Sequence, residues 1–278
     1  MGSNGDEMTP GARLPFVIFR VKECLYAMPS EYVREILLMP TVTGIPNLPP
    51  EIRGVINLRG SVIHLADLRI KLGLCSSQVE LDEFLQLLRD REQDHVNWLA
   101  ELEASVREGR PFRLARDPHK CKFGLWYDQF KTESSLLRTA LQRMDQPHKA
   151  VHATADAALE KAGRGDFKGA LELISARRND ELARLLALFA ESRRIITESR
   201  REVAVVLGFG TKRMAVSVDS VEAVERIPEE NIEPLPSVVA GSNGKRELLV
   251  AKRIKTNQTT LLLDQGFFLA QTGEPHKV

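Results

Sequence analysis

The stretch IRGVINLRGSVIHLADLR, residues 52–69, contains two short apolar runs on either side of Arg59-Gly60. Valine, isoleucine and leucine dominate both runs, and short runs of this kind bounded by turn residues are typical of β-strands. Gly60 can adopt a backbone conformation that other residues avoid, so we expect a strand end and a tight turn there. This stretch predicts a β-rich fold for the first part of the chain.

Similar short apolar runs bounded by turn residues occur throughout residues 14–74 and again after Glu202. The second part contains a predicted hairpin. Its strands are Val203–Leu207 and Met214–Val218, and its turn contains the glycines on either side of Phe209. Each β part has only about 60 to 75 residues, and strand sets of that size often need a partner to complete a core.

Between the two β parts the sequence becomes helical in character. Apolar residues recur at i, i+3/i+4 and i+7 from Leu81 to Leu102, which predicts an amphipathic helix. Further helices are predicted over about residues 118–144, 147–162 and 166–199, the last with a break near Arg178-Asn179.

The economical interpretation is a helical domain inserted into one β domain. Insertions are tolerated best at exposed loops, and residues 73–77 have the composition of such a loop. The predicted domains are residues 14–75 for the first β part, 76–201 for the helical insert and 202–270 for the second β part. Two separate small β domains are an alternative that the pattern leaves open.

Composition limits the class of protein. The 278 residues are 43% hydrophobic and 28% charged, as in ordinary globular proteins. A formal net charge of +1 removes the general electrostatic case for binding nucleic acid or an anionic membrane. No apolar run approaches the roughly 18–20 residues that span a bilayer. The first residues lack a secretory signal and indicate a short disordered lead-in. Three widely spaced cysteines suit a reducing compartment, so we expect a soluble, cytoplasmic protein without direct membrane insertion.

Histidine and cysteine positions predict a metal site in the insert. His148 and His152 stand four residues apart in a predicted helix and share one face of it. His95 lies on the apolar face of the first helix, and Cys121 opens another apolar segment. Three imidazoles and one thiolate suit tetrahedral Zn²⁺. The alternatives are ordinary core or solvated histidines, a cysteine that acts as a small hydrophobe, and His119 as the fourth ligand.

The order of these residues resembles a known family. His95-x-x-Trp98, the CKFGLW segment at residues 121–126, and His148-x-x-x-His152 are similar to the motifs of the chemoreceptor zinc-binding (CZB) domain of bacterial signalling proteins. The resemblance covers about residues 81–159. It implies that a helical bundle binds zinc through His95, Cys121, His148 and His152, in a structural role or in sensing zinc or an oxidant.

A catalytic zinc site would require an open coordination position and a nearby acid or base. Lys149 follows His148, so the H-E-x-x-H arrangement is missing, and four protein ligands close the site. Asp156 and Glu160 lie one and two turns beyond the histidine pair. A zinc-dependent hydrolytic enzyme is the alternative to a non-catalytic protein, and a scaffold with a metal-free bundle is a third interpretation.

The flanking β parts resemble the CheW-type adaptor of bacterial chemotaxis. The similarity rests on VREI at residues 33–36, on GVINLRG with the later DLR, and on VAVVLGFG and LLLD in the second part. It implies two intertwined five-stranded β-barrels that contact a chemoreceptor cytoplasmic tip and a CheA-type histidine kinase. The implied interface positions are Val33, Glu35, Gly54 and Arg59. His64 replaces a proline usual in the family and is assigned no role.

Together these features predict an α+β multidomain protein, a CheW-like pair of small five-stranded β-barrels interrupted by an inserted zinc-binding helical bundle. The predicted function is that of a non-enzymatic chemotaxis adaptor whose zinc stabilises the insert or senses zinc or oxidant.

Overall fold

The computed structural model describes residues 13–199, 201–235 and 249–269. Twelve β-strands lie within these residues, six before and six after a helical segment: β1 (Arg13–Val21), β2 (Cys24–Pro29), β3 (Val33–Leu38), β4 (Val42–Thr43), β5 (Ile52–Leu58), β6 (Ser61–Asp67), β7 (Val203–Phe209), β8 (Lys212–Val218), β9 (Ser220–Pro228), β10 (Ile232–Pro234), β11 (Leu249–Lys252) and β12 (Thr259–Leu262). The predicted N-terminal lead-in, and residues 236–248 and 270 of the second β part, lie outside the described residues.

The same described ranges contain eight α-helices: α1 (Leu68–Lys71), α2 (Ser77–Glu108), α3 (Lys122–Tyr127), α4 (Ser135–Gln142), α5 (Asp145–Gly163), α6 (Phe167–Arg177), α7 (Ala183–Ser199) and α8 (Gln265–Leu269). None of these described helices combines the length and the apolarity that crossing a membrane requires. The chain divides into two compact units. One contains the described residues up to Ser77 and from Arg201 onward, and the other begins at Gln78 and ends before Arg201.

The strands form two sheets. The order is β10-β11-β12-β2-β1-β9 in sheet 1 and β3-β7-β8-β6-β5-β4 in sheet 2. Each sheet combines strands from before and after the helical segment, because β9 pairs with β1 and β7 pairs with β3. Neither half of the chain could complete a sheet alone. The predicted intertwining of the two β parts is confirmed, and two separate β domains are excluded.

The number of strands differs from the expectation. Each sheet has six strands among the described residues, where the family resemblance implied five. One edge of each sheet is a strand of only two or three residues, β4 in sheet 2 and β10 in sheet 1. Runs this short show no periodicity, so the sequence pattern does not reveal them.

Strands β1 and β7 bury both of their faces. Phe19 of β1 and Val205 of β7 enter one core that joins the two sheets. Ile18 enters a second core on the other face of sheet 1, and Ala204 enters a third core on the other face of sheet 2. Strands buried on both faces have continuous apolar runs in place of alternating ones, which explains the FVIF and VAVV sequences.

Both predicted tight turns are present. In the β7–β8 hairpin, Phe209 lies opposite Lys212. In the β5–β6 hairpin, the two turn residues Arg59 and Gly60 have φ of +49° and +86°. The Gly60 N–H donates a hydrogen bond of 2.9 Å to Asn57 Oδ1. Two central residues with positive φ are the hairpin geometry that matches the twist of the strands, so the NLRG sequence has a structural explanation of its own.

The prediction of one continuous helix over residues 118–144 is wrong. The structure has a 3₁₀ turn at Pro118–Lys120, followed by α3 and then α4, with residues 128–134 between the two helices. Cys121 and Ser134 have extended backbones, and their side chains accept hydrogen bonds from backbone N–H groups of the helices that follow them. Each side chain therefore begins a new helix as an N-cap and breaks the expected continuity.

The other predicted helices are present. The first is longer than its periodic core, because α2 spans Ser77–Glu108. The predicted break near Arg178-Asn179 is a π-helical turn, Arg178–Leu182, that joins α6 to α7.

The helical unit has two hydrophobic cores. One contains Leu88 of α2 and Met144, next to the start of α5, and the other contains Trp98 of α2 and Val151 of α5. Between these positions lie His95 on α2 and His148 on α5. The imidazoles therefore occupy the boundary between the two cores.

The entry to the insert and the exit from it are adjacent. Ser77 Oγ, at the start of α2, hydrogen-bonds a carboxylate oxygen of Glu202, which precedes β7. The other carboxylate oxygen accepts a 2.7 Å hydrogen bond from Arg53 Nη1 of β5. A chain that leaves and returns at one place leaves the surrounding strands continuous, which is why a large insert is compatible with these sheets.

We predict that replacing Gly54 with alanine destabilises the β unit. Gly54 has φ of +141°, and a Cβ there would lie 2.2 Å from the Thr43 carbonyl oxygen of β4. Strain and overpacking of this kind should lower the free energy of unfolding by about 2–4 kcal/mol. Gly44→Ala is the control, because a Cβ at Gly44 has no neighbour within 4 Å. Equal urea-unfolding free energies for the two variants would contradict the prediction.

Candidate metal centre

The four predicted ligands come together in the helical unit. His95 lies on α2, Cys121 immediately before α3, and His148 and His152 on α5. Each residue offers one ligand atom, and these four atoms all lie within 4.8 Å of one another. The three histidines are buried and Cys121 is half-buried. Folding thus assembles donors that three separate elements carry.

Helical geometry explains how the imidazoles meet. His148 and His152 share a face of α5, and their ring centroids are 4.8 Å apart. His95 faces this pair from α2, with its ring centroid 5.0 Å from that of His148 and 5.8 Å from that of His152. The three rings are close to perpendicular to one another.

The backbone of α2 orients His95. Its Nδ1 atom lies 2.6 Å from the Arg91 carbonyl oxygen one turn earlier. A carbonyl oxygen can only accept a hydrogen bond, so Nδ1 carries the proton and donates it. In the neutral ring Nε2 is then unprotonated and free to bind a metal ion. A second hydrogen bond of this kind is the usual means of fixing a histidine ligand.

Several polar atoms of the group have no hydrogen-bond partner among the described residues. They are His95 Nε2 and both ring nitrogens of His152. Leaving a buried polar atom unpaired costs about 1–3 kcal/mol. A bound metal ion would remove this cost at each nitrogen that it occupies. Three imidazoles and one thiolate form a donor set that suits Zn²⁺, so these residues fit that ion.

Cys121 is held by the turn before α3. Its Sγ atom accepts the Gly124 N–H at 3.2 Å and lies 3.3 Å from His148 Nε2. Burial raises the pKa of the Cys121 thiol. Hydrogen bonds from the Gly124 and Phe123 amides partly oppose this increase. A Cβ at Gly124 would lie 1.9 Å from the Pro118 carbonyl oxygen. The close approach of the Pro118 carbonyl to residue 124 therefore explains why that residue is glycine.

Burial keeps the imidazoles neutral. Desolvation, with added repulsion from neighbouring imidazoles, lowers the pKa of His148 to about 2 and that of His152 to about 4. Desolvation also lowers the pKa of His95. The neutral ring is the form that binds metal ions, so the protein pre-forms the state that a metal ion requires.

Aromatic rings enclose much of the group. The ring centroid of Phe123 lies 4.9 Å from that of His148, and that of Trp98 lies 4.7 Å from that of His152. Phe189 of α7 lies 6.1 Å from His95. The sequence pattern placed Phe189 only in an apolar stripe, since no local spacing relates α7 to the histidines.

His119 lies outside the group. It is exposed, and its Nδ1 atom is 2.9 Å from a carboxylate oxygen of Asp128. The interpretation in which His119 replaces Cys121 as the fourth ligand therefore has no support in this geometry.

The acidic residues near the histidine pair also lie outside it. Asp156 and Glu160 are exposed and form ion pairs with Arg116 and Arg164. In the described part of the chain, the metal-ligating group contains no carboxylate. Asp156 and Glu160 are therefore not placed to act as an acid or base on an ion bound by this group.

Two family models match the chain. A model described as the CheW-like domain matches residues 15–95, and a model described as the chemoreceptor zinc-binding domain matches residues 95–159. The chain carries a CheW-like domain and a CZB domain. The second model is, by its description, that of a zinc-binding domain. The CheW-like match ends before the second β part, which joins the domain through the sheet pairing described above.

Two individual proteins are similar to this chain. The chemotaxis protein CheW of Helicobacter pylori is 31% identical over 94 residues, which are 34% of this chain and 57% of the relative. The chain thus matches little more than half the length of that relative. The crystal structure of the scaffolding protein TtCheW from Thermoanaerobacter tengcongensis is similar with a TM-score of 0.43 and 15% identity. That similarity covers 94% of this chain and 97% of the other.

The implied interface positions of the CheW-like domain all lie in sheet 2 or its turn. Val33 and Glu35 lie on β3, and Gly54 lies on β5. Arg59, in the β5–β6 turn, is 80% exposed and its Nη2 atom lies 2.8 Å from Glu35 Oε1. Gly54 is buried, with its residue type set by the contact with Thr43. The structure thus brings Glu35 and Arg59 together at the surface and leaves Gly54 buried.

We predict that Gly124→Ala destabilises the CZB domain. The added methyl group would displace the Pro118 carbonyl and with it the turn that holds Cys121. The metal-free protein should lose about 2–3 kcal/mol of unfolding free energy, measured from the far-ultraviolet circular dichroism during urea unfolding. Gly163→Ala is the matched control, because no atom lies within 4 Å of a Cβ at that position. A loss of the same size in the control would contradict the proposed backbone contact.

We also predict that the metal-free CZB domain loses stability in mild acid. The pKa of His148, about 2, and that of His152, about 4, are below the value of 6.5 expected for an unfolded histidine. The unfolded chain therefore binds more protons between these values, and stability falls as the pH decreases below about 6.5.

Urea unfolding of the metal-free protein between about pH 7.5 and pH 4.5 measures this effect. His148→Gln should weaken the pH dependence. A stability that does not vary over this range would show that the buried imidazoles are not the cause.

Proposed function

We propose that His95, Cys121, His148 and His152 together bind one Zn²⁺ ion. The observation that carries this proposal is the convergence of four ligand atoms within 4.8 Å, inside the segment that the CZB model matches. The ion would connect α2, the turn before α3, and α5, and its binding would stabilise the folded bundle. Four protein ligands complete a tetrahedral shell, as in structural and regulatory zinc sites, so the site is non-catalytic.

The proposed role of the whole chain is that of a non-enzymatic adaptor between a chemoreceptor cytoplasmic tip and a CheA-type histidine kinase. CheW-type scaffolds are not catalysts, and the CheW-like domain is the observation that supports this role. A cytoplasmic location is part of the proposal, because both partner surfaces would be there.

The exposed pair of Glu35 and Arg59 is the proposed centre of the partner surface. The Arg59 side chain is 80% exposed and that of Glu35 is 31% exposed. An ion pair in contact with water contributes only about 0–1 kcal/mol, so both groups can exchange it for charged groups of a partner at little cost. Val33 lies two residues before Glu35 on the same strand, but the strand pairing is irregular between them and Val33 packs against the core that joins the two sheets.

The experiment is a calorimetric titration of a CheA regulatory domain from the same cell into four samples. These are the zinc-loaded protein, the mildly chelated protein, Cys121→Ser and Cys75→Ser. Zinc content and helicity are measured first. We expect about one zinc ion per chain in the loaded protein and in Cys75→Ser, with a large loss in Cys121→Ser. Cys75 is the matched control because it is an exposed cysteine outside the metal-ligating group.

We expect the kinase domain to bind the zinc-loaded protein. A several-fold change of affinity on zinc removal at constant helicity would assign the site a sensory role. Equal affinity in all samples would assign it a structural role. A loaded protein that binds neither the kinase domain nor a receptor tip would contradict the adaptor role, and a protein that holds no zinc would contradict the metal site.

A further inference from the structure

A cavity beside the metal centre has a volume of about 290 Å³. Three of the four candidate ligands line it, namely His95, Cys121 and His152, and His148 does not. The cavity therefore reaches the metal-ligating group at these three side chains.

The outer wall of the cavity reaches solvent. Asn97 of α2, Leu114, Ala115 and Lys120 all line it and are all exposed. A route thus leads from the protein surface to three ligand side chains.

Asp94 is the acidic residue among those that line the cavity. It precedes His95 on α2, and its Oδ2 atom is shielded from solvent without a hydrogen-bond partner. That atom lies 3.2 Å from Arg91 Nη2, and Oδ1 lies 3.8 Å from Lys122 Nζ. A carboxylate oxygen is a natural zinc ligand, and loose ion pairs of this kind can be exchanged for a divalent cation.

We propose that this cavity is the route by which zinc enters and leaves the site while the bundle stays folded, and that Asp94 binds the ion in transit. The proposal rests on the zinc site proposed above and adds its mode of exchange. A residue that binds the ion only in transit changes uptake and release together, so it sets the rate of exchange and leaves the equilibrium affinity nearly constant.

The test uses the full-length, zinc-loaded protein and the rate of zinc transfer to a chromophoric chelator. Asn97→Phe and Ala115→Phe place a large side chain at the outer wall. Ala100→Phe is the control, at an exposed position of α2 that does not line the cavity. We expect uptake and release to slow at least about fivefold in both filled variants, and the control to exchange like the parent protein.

Asp94→Asn removes the transit carboxylate with almost no change of shape. It should slow uptake by a similar factor, which is more than any loss of equilibrium zinc affinity from removing a negative charge near His95 and Cys121 accounts for. Asp90→Asn, at an exposed position one turn earlier on α2, should have no effect on either rate.

Each outcome separates this inference from the zinc site itself. Parent protein without stoichiometric zinc contradicts the site. If Asn97→Phe and Ala115→Phe hold stoichiometric zinc and exchange it as fast as the parent protein, the route is overturned. Exchange that then becomes faster with urea concentration would show that the ion leaves through unfolding of the bundle. Slow exchange in the filled variants with parent-like exchange in Asp94→Asn supports the route and overturns the role of Asp94.

Discussion

The helical unit depends on a group of polar atoms placed where apolar atoms would otherwise lie. His95, His148 and His152 are buried between two hydrophobic cores, and several of their nitrogens lack hydrogen-bond partners among the described residues. Each such atom costs about 1–3 kcal/mol unless a ligand compensates for it. A bundle built only for packing would have leucine at these positions, so this arrangement is intelligible as preparation for a metal ion. The Arg91 carbonyl, the Gly124 amide and the surrounding aromatic rings all act to position the donors.

The β unit depends on a different constraint, which is that neither half of the chain can complete either sheet alone. Strand β1 requires β9, and β3 requires β7, so the helical insert separates partners that must find each other. The core that joins the two sheets uses residues from both halves, including Phe19 and Val205. Glu202, at the exit of the insert, contacts Ser77 at its entry and Arg53 of β5. An insert can be added here because its entry and exit are neighbours, and the strands need not open to admit it.

Two glycines show how backbone packing and recognition can select the same residue. Gly54 and Gly124 each lie so close to a carbonyl oxygen that a Cβ atom has no room. Both belong to motifs that also suggest function, one in the CheW-like stretch and the other beside the proposed zinc ligand Cys121. The close carbonyl contact alone explains why each of these two positions is glycine. Functional contacts are better sought in exposed side chains such as Arg59, whose identity the fold does not require.

The sequence by itself determined the α+β class, the division into β and helical segments, both hairpins, and the candidate ligands. These features depend on neighbours in the chain: alternation, turn residues, helical periodicity and the four-residue spacing of His148 and His152 fix local conformation. The apolar segments around His95 and Cys121 added these two residues to the pair, and the family motifs supported the same four ligands. Only the tertiary structure decided the remainder. It divided the strands between two six-stranded sheets, broke the helix predicted over residues 118–144 at N-caps, and opened the cavity beside Asp94. These outcomes arise from contacts between residues far apart in the chain, whose free energies no local pattern encodes.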